Sequence, residues 1–496
     1  MASWLVRAVG AVAPGMALRM LANQSRLKSY LAASKSGANK GWIPTTKSAD
    51  SILAQDRAMI TARARDLVRN SSHVAGAIEK IVNNAIYTGI HPQAQFRQAN
   101  GVLNDKKSDR IEAHFEAWAE AVAFYDLQSL ALRHELIDGE CLVLMFLDDD
   151  LKARGLCPLN LEILEADYLD TTKDQDATKT ENRIKGGIEF SKRGKPVAYH
   201  ILHQHPGESL HYGMESRRIE AEWVIHLFRP ERATQTRGVS RLASIIMEMR
   251  DFAEYQGSER IAARLAAAFG IFVESPYPEH GLMHPIMDDA SQEAADAIPK
   301  YLESGRIDVL PPGMKVSVAE NRRPGSNYDA FSRTSLRGAS AGAGLSYETF
   351  SNDYSTATYS SARAATLEER RGYRTMQAHL NRRLNGPIWS AFCRHLSVSG
   401  IMSLAGQPVP VIWQNPGWPW VDPAKDGKAA ELELSLGITT RRKLAAERGM
   451  DWDEVIEELA AEEAKIKALG VTLGDTGGKD ETTDPDAGDE RPAVDQ

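Results

Sequence analysis

The sequence has few cysteines and no long apolar run. Its three cysteines, Cys141, Cys157 and Cys393, are scattered and form no CxxC pair. This excludes a disulfide framework, and we expect buried free thiols in a reducing compartment. The apolar run from Ala8 to Leu18 is broken by two glycines and a proline, and no segment approaches about twenty apolar residues. We therefore expect a soluble protein, intracellular when made, without a signal peptide or membrane span.

An excess of positive charge is also missing. The formal net charge is −8, whereas proteins that bind nucleic acid tightly over their whole surface are basic, because their affinity comes from releasing counterions. The charge is uneven, since residues 1–70 hold eleven Lys/Arg against three Asp/Glu and residues 474–496 are acidic. The basic N-terminal arm is either a contact for DNA or an acidic partner, or a solvated flexible arm. The acidic tail has the composition of a disordered segment.

Catalytic motifs are the third absence. The glycine-rich stretch 338–344 is not followed by Gly-Lys-Ser/Thr, and no GxSxG occurs. His203 and His205 share a strand face, but no further ligand lies at a suitable spacing, so we expect no metal and no cofactor. The run Asp148–Asp150 is typical of a solvated loop between strands. A metal-dependent DNA-processing enzyme that uses this run with Glu162 is the alternative hypothesis.

The hydrophobic pattern that is present predicts an α+β protein with a large core. The chain has 496 residues, 43% hydrophobic and 25% charged, which is ordinary for a globular protein of about three domains. Helical periodicity covers 50–90 and 106–122. A strand is predicted for Cys141–Leu147, and residues 158–229 are mainly β, with a hairpin that pairs 187–190 with 197–202.

Two long helices dominate the second half of the chain. Ser240–Phe269 and Arg363–Leu396 each show a sustained apolar stripe. In the first helix the stripe includes the stem-packing candidates Leu242, Ile246, Met249 and Phe252. A long helix needs partners along its length, because propensity alone stabilises it little. We infer that identical neighbours in a symmetric ring supply those partners.

Between the long helices lies a Pro/Gly-rich lobe, followed by a small-residue helix. The lobe, 275–325, contains a predicted strand pair at 308–310 and 315–318. The helix Tyr328–Gly344 carries Gly338 and Gly342, which indicate a close approach of helices.

A polar loop at Ser346–Ser361 is the sharpest candidate site. Hydroxyl and amide groups of this kind contact a passing phosphate chain weakly, without the salt-dependent grip of Lys/Arg clusters. The simpler interpretation is a surface loop in which Ser360 or Ser361 caps the next helix. The candidate residues are Tyr347, Asn352, Asp353, Tyr354, Thr356, Thr358 and Tyr359.

A series of short blocks in a fixed order connects this loop with the rest of the sequence. The blocks are Leu67–Ser71, Ala75–Ile78, Val82–Ile90, Arg133 with Asp138-Gly139-Glu140, Glu165–Asp167, Gly187–Phe190, Ala198–His200, His226–Phe228, Arg232–Val239 and Leu345–Arg371. Together they resemble the portal proteins of lambdoid phages, over roughly residues 5 to 455.

The resemblance implies a non-enzymatic virion protein that assembles as a cyclic ring of about twelve subunits at one capsid vertex. Double-stranded DNA would pass through its channel during packaging and ejection. Its partners would be terminase, capsid and scaffold proteins and head–tail connectors, with assembly in the host cytoplasm and no membrane contact. Another ring-forming head–tail adaptor is the second alternative.

The resemblance also implies a division of the chain in the portal fold. The implied regions are a basic N-terminal arm (1–49), an α/β wing (50–239), stem helices (240–274 and 326–345), a small β-containing clip (275–325), a tunnel loop (346–362), a long wing helix with its return (363–425), a helical crown (426–473) and a disordered acidic tail (474–496).

Overall fold

The structure is a computed structural model. It describes residues 40–98, 100–178, 181–208, 215–267, 271–274, 315–318, 328–404 and 406–470. By their contacts they fall into two compact units. The small unit includes residues 40–55 and 231–236, and the large unit contains the rest. In the small unit the Thr236 amide donates to Asp50 Oδ1 (2.9 Å).

Helices and short antiparallel strands alternate through the described chain, so the predicted α+β class is confirmed. The helices are α1 (Ala49–Asn70), α2 (Ser72–Ala85), α3 (Asp105–Ala121), α4 (Phe124–Ile137), α5 (Asp149–Ala153), α6 (Ile246–Ala267), α7 (Tyr328–Ala343), α8 (Tyr347–Ser351), α9 (Tyr359–Leu380), α10 (Gly386–Val398), α11 (Pro423–Ser435), α12 (Arg441–Glu447) and α13 (Trp452–Leu469). The strands are β1 (His91–Ala94), β2 (Glu140–Leu147), β3 (Leu159–Glu165), β4 (Arg183–Lys185), β5 (Ile188–Phe190), β6 (Pro196–Leu202), β7 (Ser216–Glu220), β8 (Val224–Phe228), β9 (Ile271–Glu274), β10 (Lys315–Val318) and β11 (Val411–Gln414). Within these residues no helix is both long and apolar enough to cross a membrane.

The core of the large unit is built around a cluster of aromatic rings. Phe115 lies at its centre, 5.0–5.5 Å between centroids from Trp118, Phe124, Trp389 and Phe392. All five side chains are buried. Rings at such distances stabilise a core beyond the area they bury, so α3, α4 and α10 are joined at one point.

The central three-stranded sheet has the order β3-β2-β8 and is covered on both faces. Cys141, Val143 and Met145 pack into the main core, whereas Leu142 and Leu144 pack into a second cluster. This explains why β2 is apolar at successive positions instead of alternating. The second cluster includes residues of the four-stranded sheet β4-β5-β6-β7, in which β5 and β6 form the predicted hairpin.

Two predicted helices differ from their expected bounds: one is interrupted and one is shorter. The helix expected over 50–90 breaks at Ser71, which lies in an extended conformation between α1 and α2. The helix expected from Ser240 begins only at Ile246 and has 22 residues, about 33 Å at 1.5 Å per residue. Residues 241–245 form turns because Ser240 Oγ accepts from the Leu242 amide and the Arg241 amide donates to Leu136 O (3.0 Å).

The helix expected over Arg363–Leu396 starts earlier, at Tyr359, and its middle widens into a π-helical turn at Asn381–Asn385. Pro387 lies just after this turn. A proline has no amide hydrogen and its ring would clash with the carbonyl four residues earlier, so the helix accommodates it by a π-bulge.

One further expectation is corrected by the structure, and two strand pairs were not predicted. Asp148 is the N-cap of α5 rather than part of a loop. The strand Lys315–Val318 pairs with Ile271–Glu274, and its expected partner, 308–310, lies outside the described residues. The pairing of β1 with β11 was not predicted. The arm 1–39, most of the lobe 275–325 and the tail 474–496 also lie outside them.

Candidate functional site

The segment Ser346–Ser361 is a short helix followed by a turn, not the continuous loop that was expected. Ser346 caps α8 by accepting from the Thr349 amide (3.1 Å), and Phe350 is buried. Asn352 ends α8 in the left-handed conformation (φ 59°). The first half of the segment is therefore anchored on the core.

Lys80 of α2 holds the end of α8. Its ammonium group donates to the Thr349 carbonyl and to Asn352 Oδ1, and partial burial lowers the pKa of Lys80. Asn352 thereby serves as a structural contact, although its side chain is exposed. This lysine's charge is directed at the helix end, where carbonyl groups favour a cation.

Hydrogen bonds from hydroxyl groups stabilise the charged form of Asp353. Ser355 donates to its Oδ1, and the Tyr347 hydroxyl donates to its Oδ2 (2.8 Å). These bonds, with the Ser355 one first, lower the pKa of Asp353 to about 2. The Arg337 guanidinium lies 5.3 Å from the centroid of the Tyr347 ring. Tyr347 and Asp353 therefore form one bonded unit.

The second half of the segment is the part that faces solvent. Tyr354 and Tyr359 are 56% and 57% exposed, and Thr356 is exposed as well. Thr358 caps α9 through a capping box with Ser361. The prediction that Ser360 or Ser361 is the cap was therefore wrong, because both residues lie in the first turn of the helix. The exposed surface offers rings and hydroxyl groups, which contact phosphates weakly.

Two of the stem-packing candidates, Gly338 and Gly342, lie where α7 contacts Ile245 and the start of the antiparallel helix α6. Leu242, Ile246, Met249 and Phe252 are buried. A Cβ on Gly342 would lie 2.3 Å from Ile245 Cγ2, and one on Gly338 would lie 2.3 Å from a Glu248 carboxylate oxygen. Those distances are far below van der Waals contact. The structure thus brings α6 and α7 together over both glycines.

A buried charge network, which sequence reasoning did not assemble, lies where β2 begins. Glu140 is fully buried and accepts from Arg237 (2.7 Å) and from the Gly238 amide (2.7 Å), with His226 Nε2 at 2.9 Å and Arg57 at 3.4 Å. Burial opposes ionisation, but the charge of Arg237 and the bond to His226 outweigh it and hold the pKa of Glu140 well below its ordinary value.

A second carboxylate beside it completes the network. The Asp138 carboxylate bonds to Arg65 Nε (2.7 Å) and to His134 Nδ1 (2.8 Å). These bonds outweigh the effect of burial and lower the pKa of Asp138. Arg65 also reaches Asp167 (2.7 Å). The separate sequence blocks that contain Asp138-Gly139-Glu140, Glu165–Asp167, His226 and Arg237-Gly238 thus meet here. The signal in the sequence was an acidic residue at the start of an apolar strand.

One group of possible metal ligands is found among the described residues: Glu165, Asp167 and His205. Arg65 lies 3.0 Å from Glu165 and 2.7 Å from Asp167, so its guanidinium already forms ion pairs with both carboxylates. Asp148, the first carboxylate of the nuclease hypothesis, has another role. Asp148 accepts from the Asp150 amide and from Asn160 (2.7 Å), which is the work of a helix cap and not of a metal ligand.

The buried cysteines are all free thiols in the described structure. Burial raises the pKa of Cys157 and of Cys393 to about 12. Because the thiolate is the reactive form, these side chains act as core packing.

Comparison with known proteins places the chain in a family. A family model described as "Phage portal protein, lambda family" matches residues 35–377. The chain belongs to the lambda family of phage portal proteins. The matched range includes the charge network, both helices of the α6–α7 pair and the segment Ser346–Ser361.

Individual relatives extend the match over nearly the whole chain. The probable portal protein of Halomonas phage phiHAP-1 is 25% identical over 462 residues, covering 90% of this chain and 88% of the relative. Portal protein B of Escherichia phage lambda is 22% identical over 485 residues, covering 88% and 89%. The portal protein of Escherichia phage N15 is also 22% identical.

Two solved structures are similar at lower identity. The neck of an empty gene transfer agent particle, computed with C6 symmetry, has a TM-score of 0.48 at 12% identity and covers 84% of this chain and 97% of that one. The neck of the native particle, computed with C12 symmetry, has a TM-score of 0.42 at 12% identity and covers 80% and 94%.

Family membership confirms the prediction that this is a structural portal protein of a phage particle and not an enzyme. The charge network and the helix contacts described above are therefore parts of a portal subunit. They serve its architecture, and chemistry is not required of them.

Proposed function

We propose that the chain forms a closed ring of about twelve copies at one capsid vertex, and that double-stranded DNA passes through its channel during packaging and ejection. The observation that carries this proposal is the portal-family match over residues 35–377. The ring would also attach the head to the tail. Terminase, scaffold, capsid and connector proteins would be its partners, and it would assemble in the host cytoplasm.

The division of the chain into portal regions remains part of the proposal. The antiparallel pair α6–α7 is supported as the stem, because the chain leaves α6 through β9 and returns through β10 to α7. The clip, 275–325, would then lie at the far end of this hairpin. The wing would comprise 50–239 and 363–425, and residues 426–473, with most of α11 and all of α12 and α13, would form the crown. The arm 1–49 and the tail 474–496 would extend from this body.

Apolar side chains that are exposed on one subunit support the proposal of a ring, in which neighbouring copies would cover them. No residue of α13 is buried. Three of its exposed side chains are large and apolar, namely Ile456, Leu459 and Leu469, which are 45–69% exposed. On the stem helices Met247 and Phe331 are similarly exposed. Grouped apolar surface of this kind marks an interface, and a ring offers every subunit the same two neighbours.

The tunnel loop is proposed to be the exposed half of Ser346–Ser361. Tyr354, Thr356 and Tyr359 would touch the passing DNA, while Tyr347, Asn352, Asp353 and Thr358 would hold the loop in shape through the bonds described above. A surface of hydroxyl groups and rings lets DNA slide, because no cluster of cations binds the phosphates.

The decisive experiment measures the mass and symmetry of the purified full-length protein by light scattering and electron microscopy. A ring of twelve 54.6 kDa subunits has a mass of roughly 650 kDa and a central hole. Replacing Ile456 and Leu459 by Asp should weaken the ring, whereas the control pair Glu462→Gln and Glu463→Gln should leave it intact. A monomer under all conditions that cleaves DNA with a divalent metal would contradict the proposal.

A further inference from the structure

A cleft on the wing carries a concentration of positive charge that the portal function does not explain. Its volume is about 510 Å³, and it lies between the turn Ala221–Trp223 with β8 on one side and the π-helical turn with α10 on the other. We call it the basic cleft. Four cationic side chains line it: Lys195, Arg382, Arg383 and Arg394.

All four of these cations are exposed, in contrast to the buried and half-buried arginines that pair with carboxylates. Arg65 and Arg237, for example, each meet a carboxylate within 3 Å. None of the four cleft cations has an ion-pair partner in the part of the chain that the structure describes, and Glu222 is the one acidic residue in the lining. Unpaired like charges in a recess repel one another and raise the local concentration of anions.

The local structure builds this arrangement. The π-bulge before Pro387 exposes the consecutive Arg382 and Arg383 on the cleft side, and π-bulges occur frequently at functional sites. One wall is formed by Trp223, whose ring centroid lies 5.7 Å from that of His395. Buried Ala391 and Val224 supply an apolar floor. The cleft is therefore a recess with an apolar floor and exposed cations in its lining.

We propose that the basic cleft binds the acidic C-terminal segment of this protein, residues 471–496. That segment contains eight Asp/Glu against two Lys/Arg, which is the charge complement of the cleft. Guanidinium groups bind carboxylates with paired, charge-assisted hydrogen bonds. Twenty-six residues span up to about 85 Å when extended, which lets the segment reach over a large part of a subunit or its neighbour.

Tethering makes this occupant more favourable than a free one. A segment attached to the same chain, or to a neighbouring copy, is present at an effective concentration in the millimolar range when its length fits the span. A DNA duplex carries its phosphates on the outside of a wide cylinder, so it would touch the rim and leave the floor empty. We therefore expect the cleft to hold carboxylates rather than phosphates.

The test uses the full-length protein with the photo-reactive residue p-benzoylphenylalanine in place of Ser390, which lines the cleft and is exposed. After irradiation, mass spectrometry should find crosslinks to residues 471–496. The double variant Arg383→Glu, Arg394→Glu should lower their yield by about tenfold, because it removes the charge-assisted contacts. The matched control Lys106→Glu, Arg110→Glu changes the net charge equally on exposed residues of α3. Its crosslink yield should stay within about twofold of that of the unsubstituted cleft.

Further measurements separate the possible outcomes. Mixing ¹⁵N-labelled and unlabelled subunits shows whether the segment comes from the same chain or from a neighbour, and both results support the proposal. Replacing the eight tail carboxylates by amides should abolish the crosslinks. Crosslinks that go elsewhere, that survive these amides, or that disappear in the control pair as well would overturn the proposal. The proposal would also be overturned if the crosslinks disappeared when a duplex oligonucleotide is added at a total negative charge equal to that of the tail.

Discussion

Glu140 shows what a charge inside this subunit requires. Removing a carboxylate from water is costly, and the cost is offset only when several donors meet it. Arg237, His226 and the Gly238 amide do so at 2.7–2.9 Å. These donors come from β8 and the segment after it, so the carboxylate joins the start of β2 to the segment that leads into α6. We infer that Glu140 orients this segment on the central sheet.

Replacing Glu140 by Gln should destabilise the subunit by about 3–5 kcal/mol, because Arg237 would remain buried without its counter-charge. Chemical denaturation followed by circular dichroism measures this. Since the pKa of Glu140 is lowered in the folded state, its contribution is present above the unfolded pKa of about 4.5. It is lost as the pH falls below that value.

The control for this variant is Glu120→Gln, which alters an exposed carboxylate of α3 and should change stability by less than about 0.5 kcal/mol. Equal stability of the two variants at pH 7 would show that the network does not matter. A loss in Glu140→Gln that persists unchanged at pH 3 would argue for a packing effect instead of a charge effect.

At the scale of elements, the contact of α6 with α7 depends on the absence of a side chain. Gly342 lies against Ile245, a branched and buried residue that cannot move aside. Gly338 faces the end of the Glu248 side chain, which can. The two glycines should therefore differ in their tolerance of a methyl group, although their contacts are equally short.

We expect Gly342→Ala to destabilise the subunit by about 1–3 kcal/mol, since a methyl group would overpack the contact. Gly338→Ala should cost less. Gly372→Ala, in α9, is the matched control: nothing lies within 4 Å of its added Cβ, so it should stabilise by about 0.5–1 kcal/mol through helix propensity. Thermal unfolding of the three variants gives the order, and Gly342→Ala as stable as Gly372→Ala would refute it.

Elements with strong periodicity were predictable from the sequence, and their boundaries were not. The helix predicted at 106–122 is α3, Asp105–Ala121, because apolar spacing and the cap Asn104 agree. The start of α6 moved to Ile246 because the Leu242 amide donates to Ser240 Oγ and the Arg241 amide donates to Leu136 O. The pairing of β1 with β11 joins residues more than 300 positions apart, and no local pattern records such a partner.

At the scale of the whole molecule, the candidate site was also predictable only in part from the sequence. The sequence marked Ser346–Ser361 as unusual, but it did not separate the anchored half from the exposed half. That separation depends on the contact of Lys80 of α2 with the end of α8 and on the burial of Phe350 in the core, and both are tertiary contacts. The charge network was missed for a related reason, because each of its blocks looks like an ordinary surface or strand segment until the fold brings them together.

The exposed half of the loop allows the channel proposal to be tested by adding charge. Thr356→Arg should slow DNA packaging and ejection, because about twelve new cations around the channel would bind phosphates as they pass. We expect a severalfold lower rate at low salt and a smaller effect as salt is raised, since screening weakens such contacts. The rate is measured by DNA uptake into purified proheads.

Two controls make the outcome specific to the channel. Thr356→Gln keeps a polar side chain of similar length without charge and should translocate DNA at the normal rate. Ala153→Arg adds the same cation at an exposed position of α5, in the proposed wing, and should have no effect. If all three variants package alike, the exposed half of Ser346–Ser361 does not meet the DNA. If Ala153→Arg slows packaging as much as Thr356→Arg does, the effect comes from the net charge of the ring and not from its channel.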